Sequence, residues 1–330
     1  MHLICGDALI DFLPQPISVG GTALPDYRPV AGGSCFNLAL GLGRLGVEAG
    51  FMGGLSTDFF GTFLAETLAK AGVSLRYAAR MAEGTTLAFV RLGEDEPEYA
   101  FFDRQSALRL WHRAASPALG PEVRLLHIGS VALTEGPAAD ECAALFAAEK
   151  GRRLLSIDPN CRPGLAADEG AYRARLLALL AQADIIKLSV ADLAFLLPGA
   201  APEEAARQWL GRGAALVTIT QGAAGVSAFT KGSALHQPAR PVAVVDTVGA
   251  GDSLMAGLLW QLEAAGRLSL ARIGGLTGAE LQAALAHAVV AAALTCGRRG
   301  ADLPWAREMM AAEVISGQGL SSPAATRTIG

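Results

Sequence analysis

The chain has 330 residues, 52% of them apolar and 18% charged, with 39 glycines and a formal net charge of −4. That length can bury one large core or two modest ones. The charge balance supplies neither the basic surface that nucleic acid requires nor an acidic tail.

In chain order, LICGDALIDF (3–12) reads as an opening strand. The segment 13–31 is polar and holds proline and glycine, and NLALGLGRLG (37–46) reads as an Ala/Leu helix ending at Gly46. TTLAFVRLGEDEPEYAFFD (85–103) has two extended runs around an acidic turn, the pattern of a hairpin. From there short aliphatic runs alternate with helical patterns. RLLHIGS (124–130) precedes AADECAALFAAEKG (138–151), and RLLSIDPN (153–160) precedes AYRARLLALLAQA (171–183). DIIKLS (184–189) leads into a short helix near 190–197 and a second, PEEAARQWLGRG (202–213), before the strand ALVTITQG (215–222). Strands that are apolar throughout and alternate with helices form a mostly parallel sheet covered on both faces. The fold class is therefore α/β, a doubly wound, mostly parallel sheet.

The core takes in 1–12, 32–84 and 104–310. Segments 13–31 and 85–103 break the alternation and form a small β-rich lid over the sheet edge. Residues 311–330 are a C-terminal tail whose end, SSPAATRTIG, has a loose composition. AALAHAVVAAALTC (283–296) reads as a helix buried in the core, too short to span a bilayer. The opening MHLICGDALIDFLPQP has neither the basic n-region nor the cleavage site of a signal peptide. Cys5, Cys35, Cys142, Cys161 and Cys296 are scattered without a CxxC pair, the usage of reduced thiols in a cytoplasmic protein. The expected location is the cytoplasm, with no membrane and no nucleic-acid partner.

Chemistry concentrates in VVDTVGAGDSLMAG (244–257). Gly249 and Gly251 form a turn that exposes successive N–H groups before a helix beginning near 251, an anion site aided by the helix dipole. Asp252 in the first helical turn would repel that anion unless it has a task. The task that fits is to take a proton from a hydroxyl attacking phosphorus while the N–H groups hold the departing charge. The plainer alternative is an aspartate that caps a helix after an ordinary turn. A phosphate-binding GxxxxGK[ST] loop is absent. GLGRLG (41–46) fits GxGxxG by letter but closes a helix instead of opening one.

Other candidates lie at strand ends and turns. GGSCFN (32–37) places Gly32 and Gly33 before a helix, where a ligand can touch backbone, and Asn37 offers a donor and an acceptor to hydroxyls; an ordinary turn explains the same letters. Asp11 ends the opening strand, where an acid suits two neighbouring hydroxyls. Alternation puts Asp7 on the same face, contacting ligand or bracing a loop. In SIDPNCRPG, Arg162 either reaches a phosphate or pairs with Asp158, beside Asn160. Lys187 stands at another strand end. The histidines, 2, 112, 127, 236 and 287, have no HxH or HExxH spacing, so zinc is not indicated, and His127 reads as a satisfied strand residue. The nucleophile motif GxSxG is also absent.

Taken together, GGSCFNLALGLGRLG (32–46), continued by FMGGLSTDFFG (51–61), and VDTVGAGDSLMAGLL (245–259) resemble the two signatures of the ribokinase-like (PfkB) sugar kinases. The similarity runs from about residue 3 to about 304. The opening GDALIDFLP and the segment YAFFDRQSALRLW (99–111) are more similar to fructokinases than to the family at large, although Leu108 stands where they carry aspartate. DPNCRP (158–163) and ADIIKLS (183–189) follow them too.

The resemblance implies a ribokinase-like fold with a lid that closes over the sugar, and roles for named residues. Asp252 is then the base, and the N–H groups of Gly249, Ala250 and Gly251 form the anion hole. Asp11, Gly33 and Asn37 match sugar-contacting positions, with Asp103, Arg109 and Arg162 on the substrate side. Thr220, Gly222 and Gly225 of TQGAAG match the nucleotide loop and should lie near the ribose and phosphates of ATP. Lys187 joins that nucleotide set, as does His287, which stands where an asparagine often faces the nucleotide. Ser189-Val-Ala-Asp192 replaces the family's asparagine–x–x–glutamate, so Asp192 takes the acidic role near Mg²⁺ through water. Asp246, the Val248 carbonyl and the loop TCGRRGADLP (295–304) match a monovalent-cation cradle, for K⁺; a buried aspartate tied to backbone N–H groups is the alternative.

The implied reaction is ATP-dependent phosphorylation of fructose to fructose 6-phosphate. Within the family the rivals are 2-keto-3-deoxygluconate, whose carboxylate Arg104, Arg109 or Arg162 would have to meet, and then ribose or a nucleoside. A non-catalytic sugar- or nucleotide-binding regulator is the reading from a different class. A homodimer formed through the lid is the expected assembly.

Overall fold

The computed structural model of the chain describes residues 1–15, 26–91 and 98–315. Parts of the two lid segments, 16–25 and 92–97, and of the tail, 316–330, lie outside the described residues. The chain opens with β1 (His2–Cys5), β2 (Leu9–Pro14) and β3 (Tyr27–Gly32), then α1 (Ser34–Arg44), β4 (Ala49–Ser56), α2 (Phe59–Lys70) and β5 (Ser74–Met81). The antiparallel hairpin of β6 (Thr86–Arg91) and β7 (Glu98–Phe102) comes next, as the sequence indicates. Alternation then begins with β8 (Leu125–Gly129), α3 (Gly136–Glu149), β9 (Leu154–Asp158), α4 (Glu169–Leu180) and β10 (Ile185–Ser189). It continues through α5 (Val190–Leu196), α6 (Pro202–Gly211) and β11 (Leu216–Thr220) to the meander of β12 (Val226–Phe229) and β13 (Ala234–Gln237). Three helices follow, α7 (Ala250–Ala264), α8 (Gly278–Cys296) and α9 (Ala306–Ile315).

The core sheet runs β13-β12-β11-β10-β9-β8-β1-β4-β5. From β11 to β5 every neighbouring pair is parallel, and only β12 and β13 are antiparallel. Its strands alternate strictly between two apolar clusters. Ile4, Leu125, Leu154, Ile185 and Leu216 face the layer that holds α1, α2, α7 and α8. Leu3, Leu126, Leu155, Ile186 and Val217 face α3, α4 and α6 on the other side. That period of two, with both faces covered, is why the strands read as apolar throughout.

The second sheet, β3-β2-β6-β7, is the lid. It corrects the reading of 3–12 as one strand. The run breaks at Gly6-Asp7-Ala8, leaving β1 in the core sheet and β2 in the lid, so the lid begins at Leu9 and not at 13. Two contacts impose the break. A Cβ on Gly6 would come within 2.4 Å of the Cys35 sulfur. The Asp7 carboxylate turns aside to accept from the N–H groups of Ser34 (3.2 Å) and Cys35 (2.9 Å), capping α1.

Glycines 41 and 43 serve packing inside α1 and no phosphate. A Cβ on Gly41 would sit 2.5 Å from the Leu303 side chain, and one on Gly43 would sit 2.5 Å from the Ala71 carbonyl. Helix α8 starts earlier than 283, at a capping box between Thr277 and Glu280, and its 19 residues are long and apolar enough to cross a membrane by those measures alone. It packs as a core helix, with Leu281, Leu285, Ala288 and Ala291 buried.

Candidate active site

The lid closes over the C-terminal ends of the core strands and leaves a cleft of about 1210 Å³. Leu9, Asp11, Tyr27, Val90 and Phe101 line it from the lid, and Asp252, Asn37, Lys187 and Thr220 from the core. Helix α7 aims its N-terminus into the cleft. Its N-cap, Gly249, is left-handed (φ 78°), and a Cβ there would lie 2.6 Å from that of Ala301, so only glycine makes this turn. Gly249 and Gly251 line the cleft. Ala250 differs from the expected anion hole: its N–H is turned to the Thr247 carbonyl (3.2 Å), and it is not among the lining residues.

Asp252 is 7% exposed. Its Oδ1 accepts from Ser34 Oγ (2.6 Å) and its Oδ2 from Asn37 Nδ2 (2.9 Å). Burial pushes its carboxyl above the usual carboxylate range, while the Ser34 hydroxyl, the Lys187 ammonium and the Asn37 amide pull it back. Asn37 Oδ1 is buried with no partner among the described atoms. A buried acceptor left open is costly unless a ligand donor reaches it.

Lys187 is buried on β10 and donates to Asp158 Oδ2 at the end of β9 (2.6 Å). Burial alone would lower its ammonium, but the Asp158, Asp192 and Asp252 carboxylates more than offset this and hold it charged. A Cβ added to Gly251 would lie 2.9 Å from Lys187 Nζ, so this cation borders the α7 turn. Asp11 hangs from the lid against Gly32, where a Cβ would sit 2.0 Å from its Oδ2. Burial first, then the nearby Asp7 carboxylate, pushes Asp11 up to about 7 against the pull of Arg162.

Residues 3–307 match the model of the pfkB family of carbohydrate kinases. The chain belongs to that family. It is 38% identical over 276 residues to a fructokinase of Rhizobium leguminosarum bv. trifolii, covering 84% of either chain. The ATP-bound fructokinase structure from Xylella fastidiosa superposes with a TM-score of 0.86 at 29% identity, covering 96% of this chain and 98% of that one. A double mutant of the Vibrio cholerae fructokinase, in a fructose-, ADP- and potassium-ion-bound form, gives 0.81 at 25% identity, covering 94% and 96%. The fold is thus ribokinase-like, and the chain is an ATP-dependent sugar kinase.

The kinase places its remaining expected site residues unequally. Thr220 and Gly222 line the cleft, whereas Gly225 (φ 105°) makes the tight turn into β12, where a Cβ would lie 2.1 Å from the Gln237 carbonyl oxygen. Gly33 (φ 101°) lines the cleft and packs on the Asp7 carbonyl, 2.9 Å from where its Cβ would be. His287 does not line it. Its Nδ1 meets the Ala283 carbonyl (2.8 Å) and its ring packs edge-on against Trp260. Arg109 is also away from the cleft. It is buried, forks onto Asp103, and donates to Thr134 and to the Val131 and Glu135 carbonyls, so the pair braces the loop behind Val131. Leu108 is buried in the core and presents nothing to the cleft.

Arg162 lines the cleft but does not pair with Asp158, which Lys187 holds; its guanidinium donates to the Asn160 and Cys161 carbonyls. Asp192 borders the cleft with both oxygens engaged, Oδ2 by the Ser189 N–H and hydroxyl in a capping box and Oδ1 by the Cys161 N–H (2.6 Å). Asp246 accepts from the N–H groups of Val248 (3.0 Å) and Gly300 (2.8 Å), joining two loops. His127 is the satisfied strand histidine the sequence indicates: it meets Ser156 Oγ (3.0 Å), and burial, with Lys187 nearby, pushes it down to about 3.

Sequence reasoning passes over Ser34, Arg299, Tyr27, Phe101 and Ser130, all of which line the cleft. Ser34 had one signal, its place between Gly33 and Asn37. Ser130 (φ 60°) and Asn160 (φ 39°) hold left-handed backbone at the ends of β8 and β9; asparagine tolerates this, but for serine it is strained, and such strain concentrates at ligand sites.

Proposed function

We propose that this kinase phosphorylates fructose at its primary hydroxyl, giving fructose 6-phosphate and ADP. The observation that carries the reading is the buried Asp252 carboxylate, fixed by Ser34 and Asn37 beside the α7 turn and bordered by a charged lysine. In the proposed reaction Asp252 takes the proton of the sugar hydroxyl as its oxygen bonds to the γ-phosphorus. The bond from that phosphorus to the bridging oxygen breaks, and ADP leaves with the electron pair. The Gly249 and Gly251 N–H groups and the Lys187 ammonium face the developing negative charge. Asp11 and the open Asn37 Oδ1 suit neutral hydroxyls, with Gly33 giving close backbone approach. Thr220 and Gly222 border the phosphates, and the exposed Val190, Val244 and Val245 offer apolar surface to the nucleobase.

Mg²⁺ bound with ATP would offset phosphate charge. Among the described residues no three His, Cys, Asp or Glu side chains group as a metal site, and Asp192 is engaged as a cap, so this ion would be held by nucleotide and water with Asp192 nearby. K⁺ fits the junction that Asp246 makes between the loops at 246–248 and 300, since each of its oxygens retains a second lone-pair direction. Potassium in the Vibrio cholerae relative supports this. We further infer a cytoplasmic enzyme and a homodimer formed through the lid, whose outer face exposes Phe102.

The rival keto-acid substrate finds support in one residue. Of Arg104, Arg109 and Arg162, only Arg162 lines the cleft. Similarity to fructokinases favours fructose. A coupled ADP-release screen of fructose, 2-keto-3-deoxygluconate, ribose, tagatose and adenosine tests the assignment. Fructose should give the highest kcat/KM, and a tenfold advantage for the keto acid would refute it.

A further inference from the structure

We propose that Ser34 is a positioning residue for phosphoryl transfer, its hydroxyl orienting the Asp252 carboxylate and favouring its ionised form; this role rests on Asp252 being the base. Ser34 is the first residue of α1, next to the N-cap position, where a serine would serve the helix itself. Here that duty falls to Asp7, whose carboxylate takes the N–H groups of Ser34 and Cys35. The N-cap is Gly33, which has no side chain. The Ser34 hydroxyl is therefore released from local capping while its backbone is held in place. It is 8% exposed, and it reaches across the cleft floor to Asp252 Oδ1 at 2.6 Å.

A hydroxyl has one proton to donate, and Ser34 Oγ has no second partner among the described residues. Asn37, one turn further along α1, donates an amide N–H to the other oxygen at 2.9 Å. With a single donor, a carboxylate can still swing about its Cβ–Cγ bond. Two donors on different oxygens, both from α1, fix its plane. With both neighbours donating, Asp252 accepts at both oxygens, an arrangement that favours its ionised form. Each oxygen retains a second lone-pair direction for the substrate hydroxyl. Ser34 thus counters burial, which works toward protonation of the same group.

The test is the pH profile of kcat/KM for the sugar the unmodified enzyme uses best, at saturating MgATP, in Ser34→Ala and Ser34→Thr. Loss of one charge-assisted hydrogen bond should move the acid limb of Ser34→Ala upward by about one pH unit. Its plateau kcat should fall about tenfold through poorer orientation, with the KM for ATP little changed. Ser34→Thr keeps the hydroxyl and should return the limb toward its original position. A purely structural serine would lower the plateau or the melting temperature and leave the limb where it was, and that result in Ser34→Ala overturns the proposal. Asp252→Asn, run alongside, separates the two levels. If it is inactive while the Ser34→Ala limb is unmoved, only the role of Ser34 fails; if it retains activity within threefold, the base assignment and the role of Ser34 fail together.

Discussion

Burial raises the carboxyls of both Asp252 and Asp11, and the two lead to different predictions. Asp252→Asn conserves volume and hydrogen bonding but cannot accept the proton. Its kcat should fall by about 10²-fold or more, the scale of general-base catalysis, with the sugar KM changed much less in steady-state assays. Asp11 carries its effect into stability. Its folded pKa of about 7 lies above the ordinary 3.8, so between those values the folded protein retains a proton that the unfolded chain has released. Stability from this group is therefore present below about pH 4, declines as pH rises toward 7, and stays lost above it. Asp11→Asn should melt higher than the unmodified protein at pH 8 and equal to it near pH 3.5. Sugar affinity should weaken in the same variant, and unchanged melting at pH 8 would show that burial does not raise the Asp11 carboxyl.

At the scale of elements, the β9–β10 pair delivers a cation to the α7 turn through one buried ion pair. Removing only Lys187 leaves the Asp158 charge buried without its partner, a loss of about 3–5 kcal/mol. Lys187→Met should therefore lower both kcat and the midpoint of urea unfolding. The double variant Lys187→Met/Asp158→Asn should recover most of the stability and none of the turnover, which separates the structural role from the chemical one. Recovery of kcat in the double variant would deny Lys187 a part in phosphoryl transfer. Other elements escaped the sequence reading altogether. β5, SLRYAARM, sits at the sheet edge, and its alternation is diluted by two arginines. β12 and β13 have four residues each, too short for a period to register.

For the whole molecule, the loops joined by Asp246 and the outer face of the lid make two predictions. Turnover should be faster in K⁺ than in Na⁺ or a bulky organic cation at matched ionic strength. Asp246→Ala should abolish that difference, and equal rates in all three ions would remove the cation from the proposal. Phe101 lines the cleft, so Phe102, the next residue of β7, faces outward and is 64% exposed. Phe59 and Phe63 of α2 are exposed as well, at 74% and 50%. If the lid is the dimer contact, sedimentation should find a dimer that Phe102→Glu shifts toward monomer, while a monomer in the unmodified protein would exclude that assembly.

The sequence by itself carried the parallel α/β core, the hairpin of the lid, both glycine turns and the place of Asp252 in the first turn of a helix. Those features are local, since strand period, helix period and turn chemistry are written within a few residues of one another. It did not carry the break at Gly6, because the Cys35 sulfur that forbids a side chain there belongs to another element. Nor did it carry the partners of the polar groups. Ser34 and Asp252 are 218 residues apart, Lys187 and Asp158 are 29 apart, and Arg109 finds Asp103 and the Val131 carbonyl. A polar side chain pairs with whichever donor or acceptor the packed sheets bring within reach, and the tertiary structure decides which one that is.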